Sequence, residues 1–88
     1  MVADNNMENN YFKDYKVFIA SDVSERDGVG IEIHKEDKIL IEIFRDDTNK
    51  NFTISCLEID LPLEFVEKAI ELFRKEISQD FINYDKLE

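Results

Sequence analysis

Cysteine, histidine, proline and glycine are scarce in this 88-residue chain, and tryptophan is absent. Its one cysteine, Cys56, excludes an intramolecular disulfide and a zinc site built from several cysteines, and we expect a buried structural thiol. The one histidine, His34, lies in a strand-like run and is interpreted as a surface residue. With two glycines, no phosphate-binding loop or nucleophile elbow is present. The sequence therefore predicts a non-enzyme without catalytic residues, metal or cofactor.

Long apolar runs are also missing, since the longest are only a few residues and far too short to span a membrane. The start of the chain, Met1–Asn10, has neither a basic region nor an apolar stretch and so does not resemble a signal peptide. We expect a cytoplasmic protein without a membrane partner.

Basic residues are few: 11 Lys and Arg face 21 Asp and Glu, for a net charge of −10. The acidic excess is spread along the chain and forms no tail. Such a field repels nucleic acid and anionic lipid but attracts a basic protein and speeds its association. Direct nucleic-acid binding is therefore not expected, whereas a basic protein partner is. The alternative is that the acidity only keeps the protein in solution.

Alternating apolar and polar residues indicate strands that each lie with one face on a core. Ile31–Lys35 and Ile39–Arg45 form the clearest pair, and the charged turn between them, Glu36-Asp37, suggests a hairpin with a slightly longer loop. In the second run Ile39, Ile41 and Ile43 are expected to share the core face. Two further strands are predicted at Asp14–Ala20 and Asn51–Glu58.

One helix follows, predicted from Asp60 as N-cap and Pro62 in the first turn. Residues at three- and four-residue steps form one apolar stripe. The stripe consists of Leu63, Val66, Ala69, Ile70, Phe73 and Ile77, with Phe65 and Leu72 at its flanks. Phe81 and Ile82 are too apolar for a free tail, so we expect them to pack back on the domain.

These elements predict an α+β fold: a four-stranded antiparallel meander with one helix packed on one face. The chain is expected to form a single domain over residues 11–88, after a flexible, Asn-rich arm over residues 1–10.

The face of the sheet without the helix is expected to carry apolar residues among acids, which is typical of an interface with a foreign partner or a second copy. Its apolar residues are Phe18, Leu40, Phe44 and Leu57. The predicted partner-binding residues are Glu32, Glu42, Phe44, Asp46 and Asp47, with Glu32 opposite Glu42 and Phe44 as an apolar anchor. The alternative is that the N-terminal arm or the C-terminal segment covers this face.

Three stretches resemble a group of small bacterial proteins: the one beginning Gly30-Ile-Glu-Ile, the one from Ile41 to Thr48 with Phe-Arg-Asp-Asp, and Leu61-Pro-Leu-Glu-Phe-Val-Glu. Some of that group are similar to immunity proteins of polymorphic and contact-dependent toxin systems. The resemblance covers about Val29 to Ile77 and contains no catalytic motif. It implies a small, acidic, cytosolic protein that blocks a basic nuclease toxin by covering its active site.

The expected function is therefore that of an immunity or antitoxin-like inhibitor of a basic protein. Two alternatives stay open at this point. One is an acidic mimic of nucleic acid that inhibits a nucleic-acid-binding protein, and the other is a homodimeric structural protein.

Overall fold

The computed structural model describes residues 10–22, 27–58 and 60–82. Apart from Asn10, the predicted N-terminal arm lies outside the described residues. The elements are a 3₁₀ turn at Asn10–Phe12, strands β1 (Lys16–Asp22), β2 (Gly28–Lys35), β3 (Lys38–Asp46) and β4 (Asn51–Cys56), and helix α1 (Leu63–Glu76).

The four strands form one sheet in the order β1-β2-β3-β4, and every neighbouring pair is antiparallel. Helix α1 packs across the two central strands. The predicted α+β meander with one helix on one face is therefore confirmed. Because one 14-residue helix is narrower than four strands, both edge strands keep apolar side chains in solvent on the helix face.

The hairpin between β2 and β3 is tighter than the sequence predicted. Lys35 pairs directly with Lys38, so the loop contains only Glu36 and Asp37, with φ of 53° and 69°. Two residues at positive φ define the type I′ turn, whose twist matches that of the flanking strands. The expectation of a longer loop was wrong because carboxylate residues take the conformation usually given to Asn-Gly, at a steric cost.

A β-bulge beside this turn changes which side chains reach the core. Ile33 pairs with Ile41 but His34 pairs with Ile39, so Leu40 is the extra residue on β3. Leu40 packs against the core, whereas Ile39 is 37% exposed. The prediction that Ile39 shares the core face and Leu40 the other was therefore wrong, since strict alternation fails at a bulge.

The core forms between four strand isoleucines and the inner side of α1. These isoleucines are almost inaccessible to solvent, and they form one core cluster with the buried helix residues Phe65, Ala69, Leu72 and Phe73 and with Ile77, which directly follows the helix. The helix is rotated relative to the predicted stripe: Leu63 is 74% exposed, while Phe65 is buried. Phe65 turns inward because aromatic rings at the start of the domain, Phe12 and Tyr15, lie within 5.4 and 5.5 Å of its ring centre.

The helix begins without a side-chain cap. Pro62 is the N-cap residue, with φ −58° and ψ 144°, and accepts the Val66 N–H at its carbonyl. Asp60 adopts a φ of 63°, so the backbone changes direction there, before α1 begins at Leu63. The prediction that Asp60 caps the helix was wrong because a left-handed residue at that position does not have the extended backbone of an N-cap.

The segment after α1 returns to the sheet, as predicted for Phe81. The Phe81 ring lies 5.0 Å from that of Phe52 on β4, and the Ile82 N–H donates to Asp47 Oδ1 at 3.1 Å. Ile82 itself is 40% exposed. A ring contact and a hydrogen bond to a carboxylate thus hold Phe81 and Ile82 against the sheet.

Candidate functional site

One row of residues crosses all four strands on the face opposite the helix. Phe18 lies opposite Glu32, Glu32 opposite Glu42, and Glu42 opposite Ser55. Residues paired across antiparallel strands share a face, so these side chains stand side by side. The predicted juxtaposition of Glu32 and Glu42 is confirmed by this register.

The row is extended along β2 by His34, whose imidazole joins two of its members. His34 Nε2 lies 2.9 Å from Glu32 Oε1, and the Phe18 ring stands edge-on to the imidazole with centroids 4.6 Å apart. Phe18 is 46% exposed. We name these four residues, Phe18, Glu32, His34 and Glu42, the open-face patch. It combines a partly exposed aromatic ring with two carboxylates and one imidazole.

Placing two glutamates directly opposite each other has an electrostatic cost, because like charges on facing strands repel. Hydrogen bonding from His34 compensates Glu32, and Glu42 is half-buried.

Phe44 does not belong to this exposed surface, because its side chain is 1% exposed. Its ring lies against Gly28 of β2. A Cβ at Gly28 would come within 2.8 Å of Phe44 Cε2, and one at Gly30 within 2.1 Å of the Ile43 carbonyl oxygen. Gly28 therefore leaves space for the aromatic ring, and Gly30 allows the backbone of β3 to approach closely. Phe44 lies on the predicted face, since it pairs with Gly30 and Thr53, but the expectation of an exposed anchor was wrong because its side chain is buried. The alternation of a strand does not say what covers each face.

Asp46 and Asp47 are also buried, at 5% and 1% exposure. Asp46 Oδ1 accepts the N–H groups of Thr48 and Asn49 and so closes the turn between β3 and β4. The expectation that these two carboxylates extend the negative surface is therefore wrong.

Asp47 instead receives a bidentate pair of hydrogen bonds from Arg45, at 2.9 Å from Nε and 3.0 Å from Nη2. Arg45 Nη1 donates to the Ser78 carbonyl at 2.8 Å, just beyond the helix, where cations are favourable. Arg45 and Asp47 thus join β3 to the C-terminal segment. The sequence analysis did not single out Arg45; the signal was a basic residue at the end of an apolar run, directly before two acids.

Of the five predicted partner-binding residues, only Glu32 and Glu42 lie in the open-face patch, and their binding role stays a prediction. Phe18 was placed correctly on this face but was not selected as the anchor. His34 was interpreted as a surface strand residue; it is about a fifth exposed and links Phe18 to Glu32. The cross-strand register alone could have brought Phe18 to Glu32.

Among residues 10–22, 27–58 and 60–82, no group of three or more His, Cys, Asp or Glu side chains is placed to hold a metal ion. In the same part of the chain, no helix has the length and apolar character needed to cross a membrane. The open-face patch presents its side chains on the surface of the sheet.

Comparison of the chain with protein-family models, with curated proteins and with solved structures finds no match in any of the three. The resemblance to immunity proteins therefore stays a prediction from the sequence.

Proposed function

We propose that this protein is a non-enzymatic inhibitor of the immunity or antitoxin type, which acts in the cytoplasm by binding a basic protein through the open-face patch. The observation that carries the proposal is Phe18, a 46% exposed aromatic ring held against His34 and bordered by carboxylates. Aromatic anchors surrounded by polar groups are typical of the energetic centre of a protein interface.

The charge of the chain supports a basic partner. A net charge of −10 on 88 residues attracts cationic surfaces over about one Debye length, roughly 8 Å at physiological salt. Glu32 and Glu42 then offer adjacent acceptors for an Arg or Lys of the partner. A nuclease toxin has the basic surface that such an acidic protein would cover.

The anchor is ordered before binding. The edge-on contact of Phe18 with His34, and the hydrogen bond from His34 to Glu32, fix the patch on a sheet rather than on a loop. A preorganised ring loses little side-chain freedom on association, and this lowers the cost of binding.

The test uses purified basic proteins encoded next to this gene, made as inactive variants and assayed for binding by surface plasmon resonance. We expect one of them to bind. The Phe18→Ala variant should then dissociate at least about tenfold faster. The double variant Glu32→Gln, Glu42→Gln should associate more slowly and show a weaker dependence on salt.

The matched control removes the same two charges from the exposed side of α1, as Glu67→Gln with Glu71→Gln. It should change association less than the sheet variant does. If no neighbouring protein binds, or if the helix and sheet variants slow association equally, the open-face patch is not the site.

A further inference from the structure

Strand β4 is an edge strand with an unusual composition for this protein. The chain is 36% charged, yet none of the six residues of β4, Asn51–Cys56, carries a charge. Ile54 is 45% exposed, and Cys56 is exposed as well, so the expectation of a buried thiol was wrong. Natural edge strands usually carry charges, prolines or bulges that prevent pairing with another chain. β4 has none of these features, so its composition does not prevent pairing with a strand of another chain.

The hydrogen-bonding pattern identifies which backbone groups of β4 face outward. The Leu57 N–H donates to the Leu40 carbonyl at 2.9 Å, in line with the pairing of β4 to β3. Since bonded and non-bonded pairs alternate along an antiparallel ladder, Asn51, Thr53 and Ser55 use their backbone groups toward β3. The N–H and C=O groups of Phe52, Ile54 and Cys56 therefore point away from the sheet. These three residues also carry the exposed side chains on the helix face.

We propose that β4 pairs in antiparallel orientation with β4 of a second copy of this chain, about a two-fold axis at Ile54. In this register Ile54 lies opposite Ile54 of the second copy, and Phe52 lies opposite Cys56. The outward N–H and C=O groups of all three residues then form hydrogen bonds with the second copy. A shift of the register by two residues would leave the groups of one of these residues in each copy without such bonds. The two sheets become one eight-stranded sheet, with the exposed apolar side chains adjacent on the helix face.

The ends of β4 are complementary in the same register. Lys50 precedes the strand and Glu58 follows it, so each Lys50 approaches Glu58 of the second copy. Glu58 already lies near Lys38 within the chain, but that pair is 3.9 Å apart and its lysine is 69% exposed. Such a surface pair is weak and does not compete strongly with a new one. The contact is therefore locally neutral although each copy carries a net charge of −10.

The other edge strand is less suited to pairing with itself. β1 also exposes apolar side chains, with Ile19 at 60%, but it carries Lys16 and Asp22 inside its bounds. It also contains Phe18 of the open-face patch. Ile19 therefore provides a control: it is exposed, apolar and on an edge strand, and it lies at the far side of the sheet from β4.

Sedimentation velocity of the purified full chain, from low to high micromolar concentration, tests the proposal. We expect the mass to rise from 10.4 kDa toward twice that value. Ile54→Lys should weaken dimerisation at least about tenfold, because it places two lysines at the axis, while Ile19→Lys should not. Higher salt should strengthen the wild-type dimer by screening the net charge. A chain that stays monomeric at high micromolar concentration, or a dimer that Ile19→Lys alone disrupts, would overturn the proposal.

A cross-link tests the register. In a Cys56→Ser background, Ile54→Cys places two thiols across the axis, at about the 5.5 Å Cα separation of a bonded pair, which is within the range for a disulfide. Diamide, which removes two electrons and two protons from a pair of thiols, should link this variant as a dimer. Ile19→Cys in the same background should stay monomeric. Equal cross-linking of the Ile54→Cys and Ile19→Cys variants would mean that the disulfides form by random collision and not in a β4–β4 dimer.

Dimerisation at β4 and binding at the open-face patch involve different residues. Ile54→Lys should leave association with a basic partner unchanged, and Phe18→Ala should leave the dimer intact. Each proposal is therefore tested independently of the other.

Discussion

The pair formed by Arg45 and Asp47 is the contact on which we expect stability to depend most strongly. Arg45→Met removes three hydrogen bonds, two to Asp47 and one to the Ser78 carbonyl. The Asp47 carboxylate, which is 1% exposed, then loses its charged partner. Among the residues that the structure describes, the Ile82 N–H is the donor that remains to it. Breaking a buried pair in this way costs about 3–5 kcal/mol of unfolding free energy. That is a large part of the roughly 5–15 kcal/mol expected for a whole domain.

Urea unfolding at low temperature, followed by circular dichroism, measures this loss. The control is Lys38→Met, which removes a cation from the exposed pair with Glu58 and should cost less than about 1 kcal/mol. The double variant Arg45→Met, Asp47→Leu should recover much of the stability lost in Arg45→Met, because no charge is then left buried. If Arg45→Met lowers the free energy of unfolding no more than Lys38→Met does, the pair of Arg45 and Asp47 does not stabilise the fold.

Three further changes test the fold. Gly30→Ala should lower the free energy of unfolding by about 1–3 kcal/mol, because the added methyl group overpacks against β3. The control Glu32→Ala, on the same face, should change the free energy of unfolding by less than about 0.5 kcal/mol. Equal effects would contradict the argument that position 30 has no space for a side chain. Asp37→Gly should raise the urea midpoint, because glycine adopts the positive φ of this position without strain, and the gain in the free energy of unfolding should be about 0.5–1 kcal/mol. A lower midpoint would mean that the loop does not form a type I′ turn. Phe73→Ala should cost about 3–5 kcal/mol and Leu63→Ala almost nothing, and the reverse order of melting temperatures would refute the orientation of α1.

The sequence by itself determined the strands, the helix and the faces of most strand residues. These depend on local periodicity, which two-residue and 3.6-residue repeats encode directly. The alternation in β2 and β3 was therefore sufficient to place Glu32 and Glu42 on one face, whereas the tight turn and the bulge at Leu40 set the register that pairs them. Charge summed over the chain was likewise readable without a fold, and it directed the search toward a basic partner.

Only the tertiary structure decided which acids and aromatic rings are exposed. Asp47 is buried because groups from far along the chain reach it, and its contact with Ile82 spans 35 residues. Phe44 is buried, with its ring against Gly28 of the neighbouring strand, and Phe65 contacts aromatic rings from the start of the domain. A bulge of one residue exchanged the environments of Ile39 and Leu40. Such outcomes depend on which segments meet in space, and a local pattern carries no information about a partner that lies dozens of residues away.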